Sequence, residues 1–251
     1  MKRFALYLVS PVLLLGLWEA LSRGGALDIR FFPPPSVILH YLFTESFDDG
    51  MQRDIGASLY RVGWGYLLGC TLGAVCGLAM GLMPMVRTLL FPIVAAIYPI
   101  PKIAILPLLM LIFGLGDMSK IVVVAIGSFF LVLLNTLLGV ENQPPIYRDL
   151  RKIFSIKRHD YVLRVVVPGA APAMFTGLKL AAGYSLVVVV AAEFSGADAG
   201  IGYRIWQAWE TFSIKSMYAS IVVIAVLGFA FSFGLEHLER RLIRWRDDER
   251  R

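Results

Sequence analysis

The apolar residues of this chain fall into blocks of about 20, the length an α-helix needs to cross the roughly 30 Å of a bilayer's hydrocarbon. That spacing constrains the fold more than any motif in the sequence. The blocks lie at residues 4–21, 59–83, 88–113, 121–140, 169–194 and 217–235. Backbone polar groups must be satisfied internally in lipid, so runs of this kind become helices. The expected fold is an all-α membrane protein with about six transmembrane helices, one transmembrane domain over 1–251. A composition of 58% hydrophobic and 17% charged residues is far from a soluble average. The net charge of +6 does not point to nucleic acid, because the basic residues sit in loops beside apolar spans. Cys70 and Cys76 are six apart in one span and point in different directions, so neither a disulfide nor a metal site is expected.

Met1, Lys2 and Arg3 followed by an apolar run, with Ala20-Leu21-Ser22 beyond, also fit a signal peptide. The run exceeds signal length, and a first span is the reading adopted. Residues 22–57 are polar and acidic (Asp28, Glu45, Asp48, Asp49, Asp54), with Pro33-Pro34-Pro35 as a rigid break and Ser36 as a cap for a short helix over 37–43. Gly69, Gly73, Gly77 and Gly81 form a small-xxx-small ladder on one face of the second span. The third block carries Pro92, Pro99, Pro101 and Pro107, so it is not one smooth helix. Lys102 lies among those prolines, where a lysine is costly unless it lines a cavity or snorkels. Residues 114–120 read as a short outer turn, and 195–215 as an outer loop with Trp206 and Trp209 as interfacial anchors.

Charge asymmetry orients the spans. With the N-terminus inside, Lys2, Arg3, Arg87, six residues of 141–168 and six of the tail make fifteen inner basic residues. Six are outer: Arg23, Arg30, Arg53, Lys120, Arg204 and Lys215. Both termini are therefore expected in the cytoplasm.

Residues 141–168 form the long charged interval between two apolar blocks and hold six of the chain's 24 Lys and Arg residues. Pro144 and Pro145 end the preceding run, and Pro145 can open a helix. Ile146, Leu150, Ile153 and Phe154 recur at i, i+4, i+7 and i+8, an apolar stripe opposite Arg148, Asp149, Arg151 and Lys152. Ser155 interrupts, and a second short segment runs over 156–167 to Pro168. Two short helices outside the bilayer are expected, held there either by basic residues on lipid headgroups or by a partner protein.

This interval resembles the cytoplasmic "EAA" loop of permease subunits from binding-protein-dependent ABC importers. Aligned on Pro168, Asp149 stands at the family's Glu, Leu150 and Arg151 at its two Ala, and Ser155 at its Gly. The acid is one methylene shorter, and a serine would take the glycine's positive φ only at a cost. Residues 100–140, Phe32-Pro33-Pro34-Pro35-Ser36, Ser58-Leu59-Tyr60-Arg61-Val62 and 177–193 look like the nitrate/sulfonate/taurine/bicarbonate permease group. The resemblance runs from about Pro11 to Leu238. It implies a type I ABC importer permease in a bacterial inner membrane, multi-pass and in contact with lipid. It also implies a second permease copy in a homodimer, ABC ATPase subunits, and an extracytoplasmic solute-binding protein. Asp149, Leu150, Arg151, Ile153, Phe154 and Ser155 would then be the ATPase-coupling surface.

Catalytic motifs are missing from the sequence. There is no G-x-x-x-x-G-K-[ST] loop and no H-E-x-x-H, and His40, His159 and His237 are scattered. The chain is expected to be a non-catalytic permease without its own cofactor, ATP and Mg being held by the partner ATPase. Arg61, Lys102, Lys179 and Glu193 are the charged residues in or at the ends of spans, and are the candidates for a translocation path or gate. For Arg61 and Glu193 the blander alternative is that both face headgroup water. An ion-gradient-driven transporter or channel is the competing function; it would favour inverted repeats, and no such repeat is evident. A membrane-embedded enzyme lacks a catalytic cluster.

Overall fold

The computed structural model describes residues 2–46 and 50–243, with side chains described at all of these except 2–8, 45, 46 and 148. The expected acidic Asp48 and Asp49, the tail arginines Arg244, Arg246, Arg250 and Arg251, and the Arg148 side chain lie outside that set. Among the described residues the regular structure is helical: α1 (Lys2–Arg23), α2 (Pro35–Tyr41), α3 (Met51–Leu82), α4 (Pro84–Ile97), α5 (Leu106–Phe113), α6 (Asp117–Glu141), α7 (Ile146–Ile153), α8 (Arg158–Tyr161), α9 (Val167–Glu193), α10 (Ile201–Glu210) and α11 (Ile214–Leu242). Four of them, α3, α6, α9 with its N-terminal extension, and α11, are long and apolar enough to cross a membrane. The pair α4 and α5 is bent by 88° at the proline-rich break and makes a fifth candidate. The 22-residue α1 is the sixth by length.

Alpha-helix α6 is the centre of the molecule. Its most apolar window is 56% buried, against 11% for α11, because α3 packs along one side of it and α9 along another. The α3 contact is built on glycine. Gly65, Gly69, Gly73 and Gly77 face the carbonyl oxygens of Ile121, Ala125, Phe129 and Leu133, and Gly81 faces Val140. A β-carbon at Gly69 would stand 2.2 Å from the Ala125 oxygen. Backbones this close exclude any side chain, which is how helices gain contact where lipid supplies no hydrophobic drive. Gly69→Ala is therefore expected to force α3 and α6 apart and destabilise the permease by about 1–3 kcal/mol. The check is a lower unfolding midpoint in detergent; an unchanged midpoint would mean that the contact relaxes freely.

The register of these contacts fixes the course of the chain. Partner numbers on α3 and α6 rise together, so the two helices are parallel. The chain between them must return the full length of α3, which makes the bent α4–α5 pair one crossing. On the other side Gly127, Gly139 and Gly177 meet Tyr184, Ala173 and Asn135, so α9 is antiparallel to α6. Lys179 of α9 meets Glu239 of α11, and Leu186 lies near Gly228, so α11 is antiparallel to α9. Trp18 near the end of α1 packs on Tyr218 near the start of α11, with ring centroids 5.5 Å apart. One end of the bundle thus carries α7, the α3–α4 turn, the N-terminal end of α1 and the C-terminal end of α11. The opposite end carries residues 51–58, 114–120 and 193–214.

Several local expectations are corrected. Pro35 occupies the first turn of α2, and Ser36 lies inside that helix rather than capping it. The cap comes from α1: Glu19 accepts hydrogen bonds from the Ser36 backbone N–H (3.0 Å) and hydroxyl (2.7 Å). In the connection between them, the Arg30 guanidinium bonded to Asp28 holds that exposed carboxyl below its ordinary range. Pro168 does not end a helix. A π-helical turn at Val162–Val166 joins α8 to α9, and residues 158–193 form one 36-residue helical run. The wider turn spares the carbonyl that a proline ring would strike, and Pro168 falls in the first turn of α9, where its missing N–H matters least.

Candidate functional site

Two clusters occupy opposite ends of the bundle. At the end remote from α7, α3 presents Asp54, Ser58 and Arg61, spaced i, i+4 and i+7 and all buried. Glu193 at the last turn of α9 is 0% exposed and Arg61 3%, so neither faces headgroup water. Arg61 Nη1 donates to Glu193 Oε1 (2.7 Å) and to the Ala199 carbonyl (2.7 Å), while its Nε donates to Asp117 Oδ1 at the start of α6 (2.7 Å). One planar guanidinium therefore ties α3 to α6, to α9 and to the loop before α10.

The start of α10 completes the cluster. Its first backbone N–H groups have no intrahelical partners, and each finds a side chain. Gly200 N–H donates to Asp54 Oδ1, Ile201 N–H to Ser58 Oγ and Gly202 N–H to Glu193 Oε2, each at 2.9 Å. The Ser58 hydroxyl in turn donates to the Glu193 carboxylate at 2.8 Å. Carboxylates at a helix N-terminus also meet the favourable end of its dipole. Arg204 Nη1 returns to Asp54 Oδ2 at 3.2 Å. Gly200 has φ 128°, and a β-carbon there would lie 2.4 Å from the Glu193 carboxyl carbon. The carboxylate therefore fits only beneath a glycine.

Arg61 and Glu193 were legible as charged residues at span ends; Asp54, Ser58, Asp117, Gly200, Gly202 and Arg204 were missed. The i, i+4, i+7 spacing of Asp54, Ser58 and Arg61 was an available signal once α3 is taken back to Met51. Lys120 was also missed. Placed in an outer turn by sequence, it is buried in the first turn of α6 and donates to the carbonyls of Leu115 (2.6 Å), Gly116 (3.2 Å) and Gly196 (3.2 Å).

The structure does not bring Lys102 and Lys179 into this cluster. Lys102 is buried at the 88° break, where Nζ donates to the carbonyls of Ile97, Tyr98 and Ile100, all at 2.9 Å. Its ammonium also lies 4.5 Å from the Phe130 ring centroid. Those contacts satisfy the carbonyls left open where α4 stops. Lys179 pairs with Glu239, a residue assigned by sequence to the charged tail but buried within α11. In this conformation both lysines are engaged by the protein.

At the other end, Pro145 has helical dihedrals and leads into α7. Ile153 and Phe154 are 71% and 69% exposed, and Leu150 is 36% exposed beside the start of α9. Asp149 lies in the first turn, where a carboxylate is favoured, and Arg151 and Lys152 in the last, where cations are. Ser155 adopts φ 48°, the left-handed conformation expected of the glycine it replaces. Ile156 N–H donates to the Arg151 carbonyl (3.0 Å) and Ser155 N–H to Lys152 (3.3 Å). This paired closure of a helix C-terminus holds the serine in place.

The comparisons agree with this architecture. Residues 69–244 match the family model for the binding-protein-dependent transport system inner membrane component. The chain is 31% identical to the taurine transport system permease protein TauC of Escherichia coli, covering 97% of this chain and 90% of that one. It is 30% identical to the nitrate import permease protein NrtB of Leptolyngbya laminosa, over 92% of this chain and 84% of the relative. A second NrtB, from Synechococcus elongatus, is 29% identical over 98% and 89%. With a buried three-helix core, a bent fourth crossing and a family match across most of its length, the chain belongs to the inner-membrane components of binding-protein-dependent transport systems.

Proposed function

We propose that this permease forms the path for a small anion such as a sulfonate, taurine, nitrate or bicarbonate, working as a homodimer. The chain is the non-catalytic, multi-pass membrane subunit of an ABC importer; a separate ATPase and a solute-binding protein are its partners. The basic-residue asymmetry of the sequence supports the end carrying α7 as the cytoplasmic one. The α7 ridge then docks on the ATPase, with Asp149, Arg151 and Lys152 around it and Ser155 closing the turn. The observation that carries this role is an eight-residue helix whose last residue, Ile153, and the following Phe154 stand exposed beyond the spans.

At the extracytoplasmic end, the Arg61–Glu193 cluster acts as a latch between α3, α6, α9 and α10. A solute-binding protein meeting α10 would act on that latch, while closure of the ATPases pushes the opposite end, and the two shift the balance between inward- and outward-open states. Exposed apolar faces of the spans are covered by lipid and by the second copy. Anion choice rests on the likeness to the taurine and nitrate permeases; Lys102 and Lys179 add nothing to it while engaged as described.

The test is reconstitution in vesicles with the ATPase and binding protein. Sulfonate, taurine, nitrate or bicarbonate should stimulate both uptake and ATP hydrolysis. Stimulation by neutral or cationic solutes alone would overturn the anion assignment.

A further inference from the structure

A cleft of about 880 Å³ opens between the α3–α4 turn, the end of α6 and the α8 segment. Its polar wall holds Arg87, Arg151 and Arg158 against one acid, Glu141. Arg87 reaches Glu141 at 2.6 Å but remains half-exposed, and Arg151 lies over the Tyr161 ring at 5.5 Å. Arg158 is exposed and has no ion pair among the described residues. The remaining wall is apolar, with Met83, Val140 and Val162 in the cleft. From its mouth, exposed Met85 and Leu89 continue along α4 into the span.

We propose that this cleft binds the phosphate headgroup of an anionic phospholipid, with the acyl chains lying along α4. Two features argue for lipid rather than a soluble anion. Arg87 sits at the turn between α3 and α4 and Arg158 at the start of the run that continues into α9, the level at which headgroups lie, and an exposed apolar track leads from the cleft's mouth into the hydrocarbon. Guanidinium groups suit a phosphodiester because their donors can engage two oxygens at once. Basic pockets between helices at a membrane surface hold such headgroups by the same charge complementarity. Arg151 is shared with the α7 coupling surface, so the test rests on Arg87 and Arg158, which lie outside that surface.

The test is native mass spectrometry of the full-length permease in detergent, titrated with phosphatidylglycerol or phosphatidylcholine of matched chains. Phosphatidylglycerol should be retained preferentially. Arg87→Gln with Arg158→Gln should weaken it by ~5-fold per arginine, bringing it toward phosphatidylcholine retention and leaving helical circular dichroism unchanged. Arg87→Lys with Arg158→Lys should retain most of the preference, and Lys157→Gln, outside the cleft, should have no effect. Equal retention of the two lipids by wild type, or unchanged phosphatidylglycerol retention by the glutamine pair, would overturn the proposal. So would displacement by millimolar inorganic phosphate, which would make the ligand a soluble anion. If the glutamine pair instead sheds the ATPase while holding lipid, the cleft is a protein contact and the lipid assignment falls.

Discussion

Arg61→Ala is expected to destabilise the permease by about 3–5 kcal/mol and to remove most of its transport. The substitution leaves Glu193 fully buried, facing only Ser58 and the Gly202 N–H, and opens the links to Asp117 and Ala199. Breaking a buried pair from one side costs more than the pair contributes, because the remaining charge has no water to return to. Lysine should rescue little, since one ammonium cannot reproduce the guanidinium's fixed fork across two carboxylates. Glu193→Gln should be milder for folding, because an amide can still accept from Ser58 and Gly202. Its effect on transport isolates the latch. The measurements are the unfolding midpoint in detergent, and solute-stimulated ATPase activity with uptake. A wild-type midpoint for Arg61→Ala would show that the cluster is not holding the bundle. Unchanged transport in Glu193→Gln would end the latch reading.

Leu150→Ala combined with Phe154→Ala should release or uncouple the ATPase while leaving the spans inserted. A buried apolar anchor at a protein interface can carry about 2 kcal/mol or more. Phe154 is free to serve as one, whereas Leu150 also borders the cavity beside α9. Part of any Leu150 effect therefore comes from looser seating of α7, and Ile153→Ala with Phe154→Ala is the companion pair that avoids it. Arg151→Ala should be mild by comparison, since a half-exposed rim charge carries little, although it forfeits the contact with Tyr161. ATPase retention on the purified permease and ATP-driven uptake read the result. If the double variants keep both while Arg151→Ala loses both, α7 engages its partner through the charged face.

What the sequence disclosed followed chemical periodicity. The glycines of the second span announced a close helix contact, though not that their partner was the fourth span running parallel to them. Ser155 showed its conformation through the residue it replaces. Arg61 and Glu193 were conspicuous because a charge near hydrocarbon needs a reason. The rest of their cluster was hidden by a boundary: polar Asp54 and Ser58 suggest a loop, yet they lie on the inner face of a helix whose partners arrive from about 140 residues later. No local pattern carries that information. Lys120 was misplaced for a related reason. A lysine in a helix's first turn opposes the dipole, and only the carbonyls gathered around it explain its burial. Pro168 misled in the opposite direction, because its consequence depends on the π-helical turn before it.

That π-helical turn gives the long helical run a mechanical character. Residues 158–193 make a rod ~54 Å long at the usual rise per residue. One end lies beside α7, and Glu193 is held at the other. Close contacts of Gly139 with Ala173 and of Gly177 with Asn135 seat this rod against α6. The looser turn at 162–166 and Pro172 set how stiff its N-terminal part is. In the proposed docking, a push on α7 would reach Glu193 at the far surface through this one helical run.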